Sequence, residues 1–553
     1  MSHPAVRPAL VVCALFVLST ASRAGEPAPD AARYRPDPQE LRRGYERASR
    51  AGAPVGRVYK MRLAPNWFHD NTRFWYRNDL RGGGKEFVVV DADKGTRRPA
   101  FDHKKLAEAL SRAAGTEYKA DRLPFNEIEF ADEERSIRFQ AAGAAWKCDL
   151  TSYECSKVPG KTDSAPPAPA TPEPMAAVDE ATDAPEVGEQ PVFFQQPGRQ
   201  TERLRDVRSP DGKWTAFVKE HNVWVRGADG KEVQLIQSGE AGNAFGMLSW
   251  APSSKALVGF RIEPGDEKDV YLIESSPRGG GRARLQTRPY ALPGDKFTAY
   301  EPWVFDVENR KAVKAEVDRI DFGRPRLRWL RDGRHFTYEK TDRGHQRFRV
   351  VEVDALTGQA RDLIDEKTDT FIWTAHREAL DRAGLPLVTY LDKTNELLYC
   401  SERDGWRHLY LIDAKEGQVK NQVTRGAWVV RGIERIDEAK RQIWFVASGK
   451  NAGQDPYFLH YYRVNFDGSG LVALTEGNGT HSVQFSPDRK YLIDTYSRVD
   501  MPPVHELRRA EDGKLVCELE KADISELRES GWEPPEVFVA KGRDGKTDIW
   551  GII

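Results

Sequence analysis

The chain has 553 residues, long enough for a large core and for several domains, with 39% hydrophobic and 10% aromatic residues, 45 glycines and 34 prolines. Its 84 basic and 85 acidic residues are interspersed and leave a formal net charge of −1. No basic stripe suggests nucleic acid and there is no acidic tail, so the composition suits a turn-rich β protein without a polyanionic partner.

Residues 1–24 read as a secretory signal. Arg7 supplies the positive region, 9–18 form an apolar core too short to span a bilayer, and 21–24 end in small residues suited to cleavage. Cys13 follows Val12, which fits a lipoprotein cleavage box poorly. A secreted or periplasmic location follows, with an uncleaved N-terminal anchor as the weaker option. No other stretch approaches transmembrane length. Residues 25–58 form a charged lead-in with a short helix around 38–48.

From there one phrase recurs: a polar turn, then an alternating apolar and aromatic strand. It begins at His69 (HDNTRFWYRN), Ala131 (ADEERSIRFQ), Ser209 (SPDGKWTAFV), Ala251 (APSSKALVGF), Leu330 (LRDGRHFTYE), Leu391 (LDKTNELLYC), Ile436 (IDEAKRQIWF) and Ser486 (SPDRKYLIDT). The starts lie 62, 78, 42, 79, 61, 45 and 50 residues apart. A four-stranded propeller blade takes about 40–50 residues, so the short spacings fit one blade each and the long ones need insertions. Such a unit cannot bury its apolar face alone, and stacking in a ring solves that while protecting strand edges. The expectation is an all-β, eight-bladed β-propeller over 59–519. A β-sandwich would need fewer copies.

The insertions are visible. A helix is expected over 104–114, with Leu106, Ala109 and Leu110 on one side, between the first two blades. Residues 159–190 are rich in Pro, Ala, Glu and Thr and nearly devoid of large apolar residues, which predicts a disordered insertion. Within the fourth blade, 276–296 form a long interruption of the kind that is functional or serves assembly. In 401–413 (SERDGWRHLYLID), Asp404-Gly405 marks a hairpin between two β-prone runs. Past 519, a helix is expected over 522–530, then strands over 536–540 and 547–553 joined at Asp544-Gly545.

Chemistry-bearing motifs are scarce. No G-x-S-x-G elbow occurs; Ser469 lies between glycines in a hairpin turn. The 11 histidines show no metal-ligand spacing, and His335, His408 and His460 in strands suit structural hydrogen bonding. Asp211, Asp332, Asp404 and Asp488 sit at turns, where local capping is the simplest role. Asn478-Gly-Thr480 matches a glycosylation sequon. Cys148 and Cys155 flank a hairpin tip and could form a disulfide in an oxidising compartment, whereas Cys400 and Cys517 suit buried thiols. No catalytic residue, metal site or cofactor is indicated.

The order of blades, SERDGWRHLYLID, the run 336–354 (FTYEKTDRGHQRFRVVEVD) and the closing 544–553 (DGKTDIWGII) together resemble the N-terminal propeller of the dipeptidyl peptidase IV family, in the prolyl oligopeptidase clan. The resemblance spans roughly 59–553. It implies that 520–553 are a linker and the first strand of an α/β-hydrolase domain that would carry a Ser–Asp–His triad. The chain alone is then expected to hydrolyse nothing. Its implied partners are a peptide substrate, the hydrolase polypeptide and, as a further option, a second copy in a homodimer. In the family, two adjacent glutamates on the propeller hold the substrate's free amine. Only Glu240 matches, with Gly239 in the place of the other acid. Glu240 is expected to face the ring's interior cavity, the alternative being a solvated loop carboxylate. The resemblance implies a substrate-gating propeller of a serine exopeptidase. A stand-alone propeller acting as a peptide- or protein-binding scaffold in the cell envelope is the alternative.

Overall fold

Residues 57–158, 206–374 (apart from 267) and 387–553, with 37–39, 42–43 and 45–46, are described by a computed structural model. The signal region and the 159–190 insertion lie outside the described residues. Around 38–48, the described positions 38–39, 42–43 and 45–46 are helical. The chain divides into two units, one of 58–524 with 534–553, the other of 1–57 with 525–533, which includes the short helix Ser525–Glu529.

Among the described residues the larger unit contains eight four-stranded antiparallel sheets, seven built from strands consecutive in sequence and one, the fourth, interrupted between its second and third strands by a separate two-stranded ribbon. We number them 1–8: 66–99, 129–158, 207–234, 244–314, 328–367, 388–422, 429–473 and 480–521. All eight repeated phrases fall at the same place, the turn between the first and second strands of a sheet. Their chemistry explains why. Each turn carries a residue in the left-handed region near its end: Asn71, Glu134, Gly212, Ser254, Gly333, Asn395, Arg441 and Arg489. Polar residues and glycine tolerate that conformation, and Asp, Ser and Asn oxygens satisfy the turn's free amides. In sheet 3, for instance, Asp211 accepts from the Lys213 backbone N–H at 3.1 Å and the Ser209 hydroxyl at 2.7 Å.

Successive side chains along a strand point to opposite faces, and here both faces are covered. Leu397 packs between sheets 5 and 6, whereas its neighbour Leu398 packs between sheets 6 and 7. This is why Glu396–Ser401 is buried at every position. Six apolar clusters lie between sheets 1 and 2, 3 and 4, 4 and 5, 5 and 6, 6 and 7, and 7 and 8. A seventh joins Ile493, Leu507 and Leu519 of sheet 8 to Phe74, Tyr76, Val88 and Val90 of sheet 1.

A glycine records the same return to the start. Gly513, in the turn between the third and fourth strands of sheet 8, has φ +70°, and a Cβ there would lie 2.2 Å from the Ala473 carbonyl in the fourth strand of sheet 7. Gly95 holds the same position in sheet 1, where a Cβ would lie 3.0 Å from the Val516 carbonyl of sheet 8. Sheet 1 therefore sits against sheet 8 as sheet 8 sits against sheet 7, a propeller-like arrangement. Polar groups fasten that seam. Glu520, nearly fully buried, accepts from Tyr76 Oη at 3.0 Å, Asn78 Nδ2 at 2.8 Å and Lys60 Nζ at 3.0 Å.

Between sheets 1 and 2, helix α1 (His103–Ala114) is N-capped by Asp102, buries Leu106, Ala109 and Leu110, and ends at the left-handed Gly115. Cys148 and Cys155 are cross-strand partners in sheet 2 and form a disulfide, with Cα atoms 4.1 Å apart. Cys400 is buried, and burial pushes its thiol up to about 12. Cys517 differs from expectation: it is half-buried, because it lies on the outermost strand of sheet 8. The interruption in sheet 4 is a two-stranded ribbon, Asp269–Glu274 paired with Arg284–Pro289. Near the C-terminus, Val537–Lys541 and Asp548–Ile552 form a second ribbon with an exposed apolar surface.

Candidate functional site

Antiparallel connectivity gives each sheet two distinct ends. The repeated turns lie at one end and touch across sheets: Asp211 N–H donates to Ser254 Oγ at 3.0 Å, Ser253 Oγ to the Gly333 carbonyl at 2.8 Å, and Arg328 to Asp392 at 2.6 Å. The opposite end carries the second-to-third-strand turns, the connections between sheets and the insertion in sheet 4.

Glu240 is at this second end, in the connection from sheet 3 to sheet 4. The Gly239 N–H donates to Asn222 Oδ1 at 2.7 Å, and the Glu240 carbonyl accepts from the Asn243 N–H at 3.0 Å. A Cβ on Gly239 would lie 2.1 Å from the His221 carbonyl oxygen, so this backbone path has no room for a second acidic side chain. The Glu240 carboxylate is 71% exposed and 3.7 Å from the Arg261 guanidinium. The buried Nε of Arg261 has no hydrogen-bond partner. A lone exposed carboxylate beside a cation can attract an ammonium only weakly.

Charges continue along this end from Arg261. Glu263, two residues on, pairs with Lys296 and Arg319. Asp318 and Asp342 accept from Arg349 at 2.8 and 3.0 Å. Lys340, 5% exposed, lies 3.7 Å from Asp342 and 4.0 Å from Asp318. Burial and the Arg349 charge hold its ammonium below the usual lysine range.

Next to Lys296 begins an aromatic ladder that the sequence reading missed. Phe297 meets Phe322 edge-on at 5.8 Å, Phe322 meets His345 at 5.2 Å, His345 stacks on Phe371 at 4.7 Å, and Phe371 reaches Trp373 at 6.5 Å. Arg343 covers Phe297 at 4.3 Å. Phe371 and Trp373 are exposed. The only available signal was aromatic residues in segments too polar or irregular for strands. Such rings can hold apolar side chains or an extended peptide backbone.

The histidines and turn aspartates keep structural roles. His408 is buried between Thr424 Oγ1 at 3.0 Å and the Gly426 carbonyl at 2.9 Å. His460 contacts Gln454 at 2.8 Å, and burial followed by the neighbouring His481 pushes it down to about 4. His335 pairs with Asp332 at 2.5 Å, and Asp404 and Asp488 accept from turn amides. Among the described residues no group of three or more His, Cys, Asp or Glu could hold a metal ion, and no helix is long and apolar enough to cross a membrane.

Residues 192–503 match the family described as the dipeptidyl peptidase IV (DPP IV) N-terminal region. The chain belongs to that family. The match includes Glu240, Arg261 and the whole aromatic ladder, while sheets 1 and 2 precede it. Among curated proteins, it is 22% identical over 328 residues to a probable dipeptidyl peptidase 4 of Aspergillus flavus, covering 53% of this chain and 40% of that protein. It is 24% identical over 336 residues to a probable dipeptidyl-aminopeptidase B of Arthroderma gypseum, covering 53% of this chain and 35% of that protein. Against the crystal structure of Porphyromonas gingivalis dipeptidyl peptidase 4 the TM-score is 0.42 at 16% identity, covering 89% of this chain and 64% of that one. The chain spans less than half the length of the curated relatives it matches.

Proposed function

We propose that the eight sheets are the blades of an eight-bladed propeller that admits and positions peptides for a serine exopeptidase of the dipeptidyl peptidase IV type. The hydrolysis belongs to an α/β-hydrolase segment whose first strand we assign to the apolar ribbon at 537–552. Acyl transfer requires an activated serine, a histidine base and an oxyanion hole within hydrogen-bond reach, and the propeller supplies none of these roles in this reading. An exported protein suits both this role and the Cys148–Cys155 disulfide.

One observation carries the reading: Glu240 and the aromatic ladder occupy the same end of the sheets, away from the repeated turns. Glu240, opening to the ring's interior, receives the peptide amine, and Phe371 and Trp373 hold the apolar side chains that follow. With Gly239 in place of a second acid, the preference for a free amine is small. One exposed ion pair contributes at most about 1 kcal/mol, roughly fivefold in affinity.

Calorimetric titration of the purified chain with an apolar tripeptide, free and N-acetylated, tests this. The expected result is binding of both, with the free amine favoured severalfold and that preference abolished in Glu240→Gln. Equal binding of the two peptides by the wild-type chain removes the amine role. No binding of either removes the substrate-admitting function.

A further inference from the structure

The turn between the second and third strands of sheet 5 lies beside the aromatic ladder and carries an arginine that the peptide reading leaves unused. The Asp342 N–H donates to the Arg347 carbonyl and the His345 N–H to the Asp342 carbonyl, each at 3.0 Å, with Gly344 and His345 in the left-handed region. Further bonds fasten this turn to the segment bearing Phe371 and Trp373. The Ile372 N–H donates to the His345 carbonyl at 2.7 Å, and Gln346 Nε2 to the Asp369 carbonyl at 3.1 Å. Arg343 and the two exposed rings of the ladder are therefore held around one contact.

Arg343 differs from its neighbours in having no acid. At this end Arg347 pairs with Asp365 at 2.6 Å and Arg349 with Asp318 at 2.8 Å, Glu263 takes Arg319, and Arg261 lies 3.7 Å from Glu240. Asp342, next in the chain to Arg343, accepts from Arg349 at 3.0 Å. Among the described residues the Arg343 guanidinium meets only the Phe297 ring, at 4.3 Å, and the residue is exposed. A ring face attracts the guanidinium without using its N–H donors, which stay free for an anion. The same contact restricts rotamers that a ligand would otherwise have to freeze.

We propose that Arg343 receives a carboxylate of the peptide whose apolar side chain rests on Phe371 and Trp373, so that the site prefers peptides with an acid close to an apolar residue. The inference rests on the peptide reading of this end. A planar carboxylate matches the guanidinium fork and takes two parallel hydrogen bonds. Lys296, beside Phe297, does not compete, because Glu263 occupies it. A short peptide offers such a group from two sources, an acidic side chain and a free C-terminus.

Calorimetric titration of the purified chain with three tripeptides tests it: alanyl-asparaginyl-phenylalanine amide, the corresponding free acid, and alanyl-aspartyl-phenylalanine amide. All three keep the free amine and the apolar ring, and only the carboxylate differs. The expected result is that at least one acid binds about fivefold more tightly than the neutral amide, the favoured one naming the source. That gain falls at high salt, disappears in R343Q and is kept in part by R343K, which retains the charge without the fork. Because Arg343 is exposed, thermal unfolding of both variants should match the wild type. Equal binding of the three peptides, or a gain that survives R343Q, overturns the inference while the peptide reading stands. No binding of any of the three overturns the peptide reading itself, and this inference with it.

Discussion

The two ends of the sheets obey different rules. At one end, eight turns of the same kind carry a left-handed residue, four of them cap their own amides through an aspartate, and some touch their neighbours. At the other, the connections range from a tight turn such as 219–222 to the insertion of 264–298, and they gather Glu240, Arg261, the buried Lys340 and the aromatic ladder. The repeating end is a frame whose geometry the stacking of sheets dictates. The irregular end is free to vary because a connecting loop can lengthen at little entropic expense, and that freedom is where binding chemistry accumulates. Mutations at the two ends should therefore fail in different ways, stability for the frame and ligand affinity for the other.

The largest expected effect is on the frame. Gly513→Ala combines a left-handed backbone with a Cβ 2.2 Å from a carbonyl oxygen, and should lower stability by about 3 kcal/mol or more. Gly405→Ala, at φ +92° with open space around it, should lose only about 1 kcal/mol. Urea unfolding of the pair measures the contrast. If both lose the same amount, packing between sheets is not what fixes the frame.

Next comes the seam between sheets 8 and 1. Glu520→Ala leaves Asn78 Nδ2 and Tyr76 Oη without their shared acceptor in a buried site, which should lower stability by about 2–3 kcal/mol. The double variant with Tyr76→Phe should lose less than the sum, because that phenol no longer needs a partner. Strict additivity would show that the seam is not a coupled network.

The pH response separates frame groups by sign. Burial alone would raise Glu396, but hydrogen bonds from Arg441 and Lys420 pull it down to about 2. A depressed carboxylate contributes stability above its unfolded pKa of about 4.3, lost as pH falls from there toward 2. His460, buried and beside His481, is likewise depressed, to about 4, so protonation of the unfolded chain erodes stability between about pH 6.5 and 4. Stability curves of Glu396→Gln and His460→Gln should each flatten in its own window. A slope unchanged in that window in either variant contradicts the assignment.

How much of this was legible in the sequence follows the same division. The eight turns could be read because Asp, Asn, Ser and Gly act on their own backbone, within a few residues. The helix at 103–114, the cysteine pair and the strands 537–541 and 548–552 were legible for the same local reasons. The glycine seats at Gly95 and Gly513 were not, since each is defined by a carbonyl on another sheet. Nor was the Arg261 partner of Glu240, which the register of sheet 4 brings back to the connection preceding it. The ladder draws one ring or two from each of four segments between 297 and 373, and no window of sequence contains it. In the ribbon, Arg284, Arg288 and Pro289 obscured a strand whose exposed face needs no core pattern.

The smallest expected effects are on the ligand. Trp373→Ala should weaken binding of an apolar tripeptide by about tenfold, in keeping with 1–2 kcal/mol for an aromatic contact at a partly open site, and leave unfolding unchanged. A loss of stability without loss of affinity would reassign the ladder to the frame.

Hydrogen–deuterium exchange with and without a saturating apolar tripeptide tests the division most directly, because it reports both ends in one experiment. The account predicts added protection confined to the irregular end, at 239–245, 296–298, 343–346 and 369–374, and none at the repeated turns. Protection at turns such as 209–213, 251–255 and 330–334, with no change around Glu240 and the ladder, would contradict it.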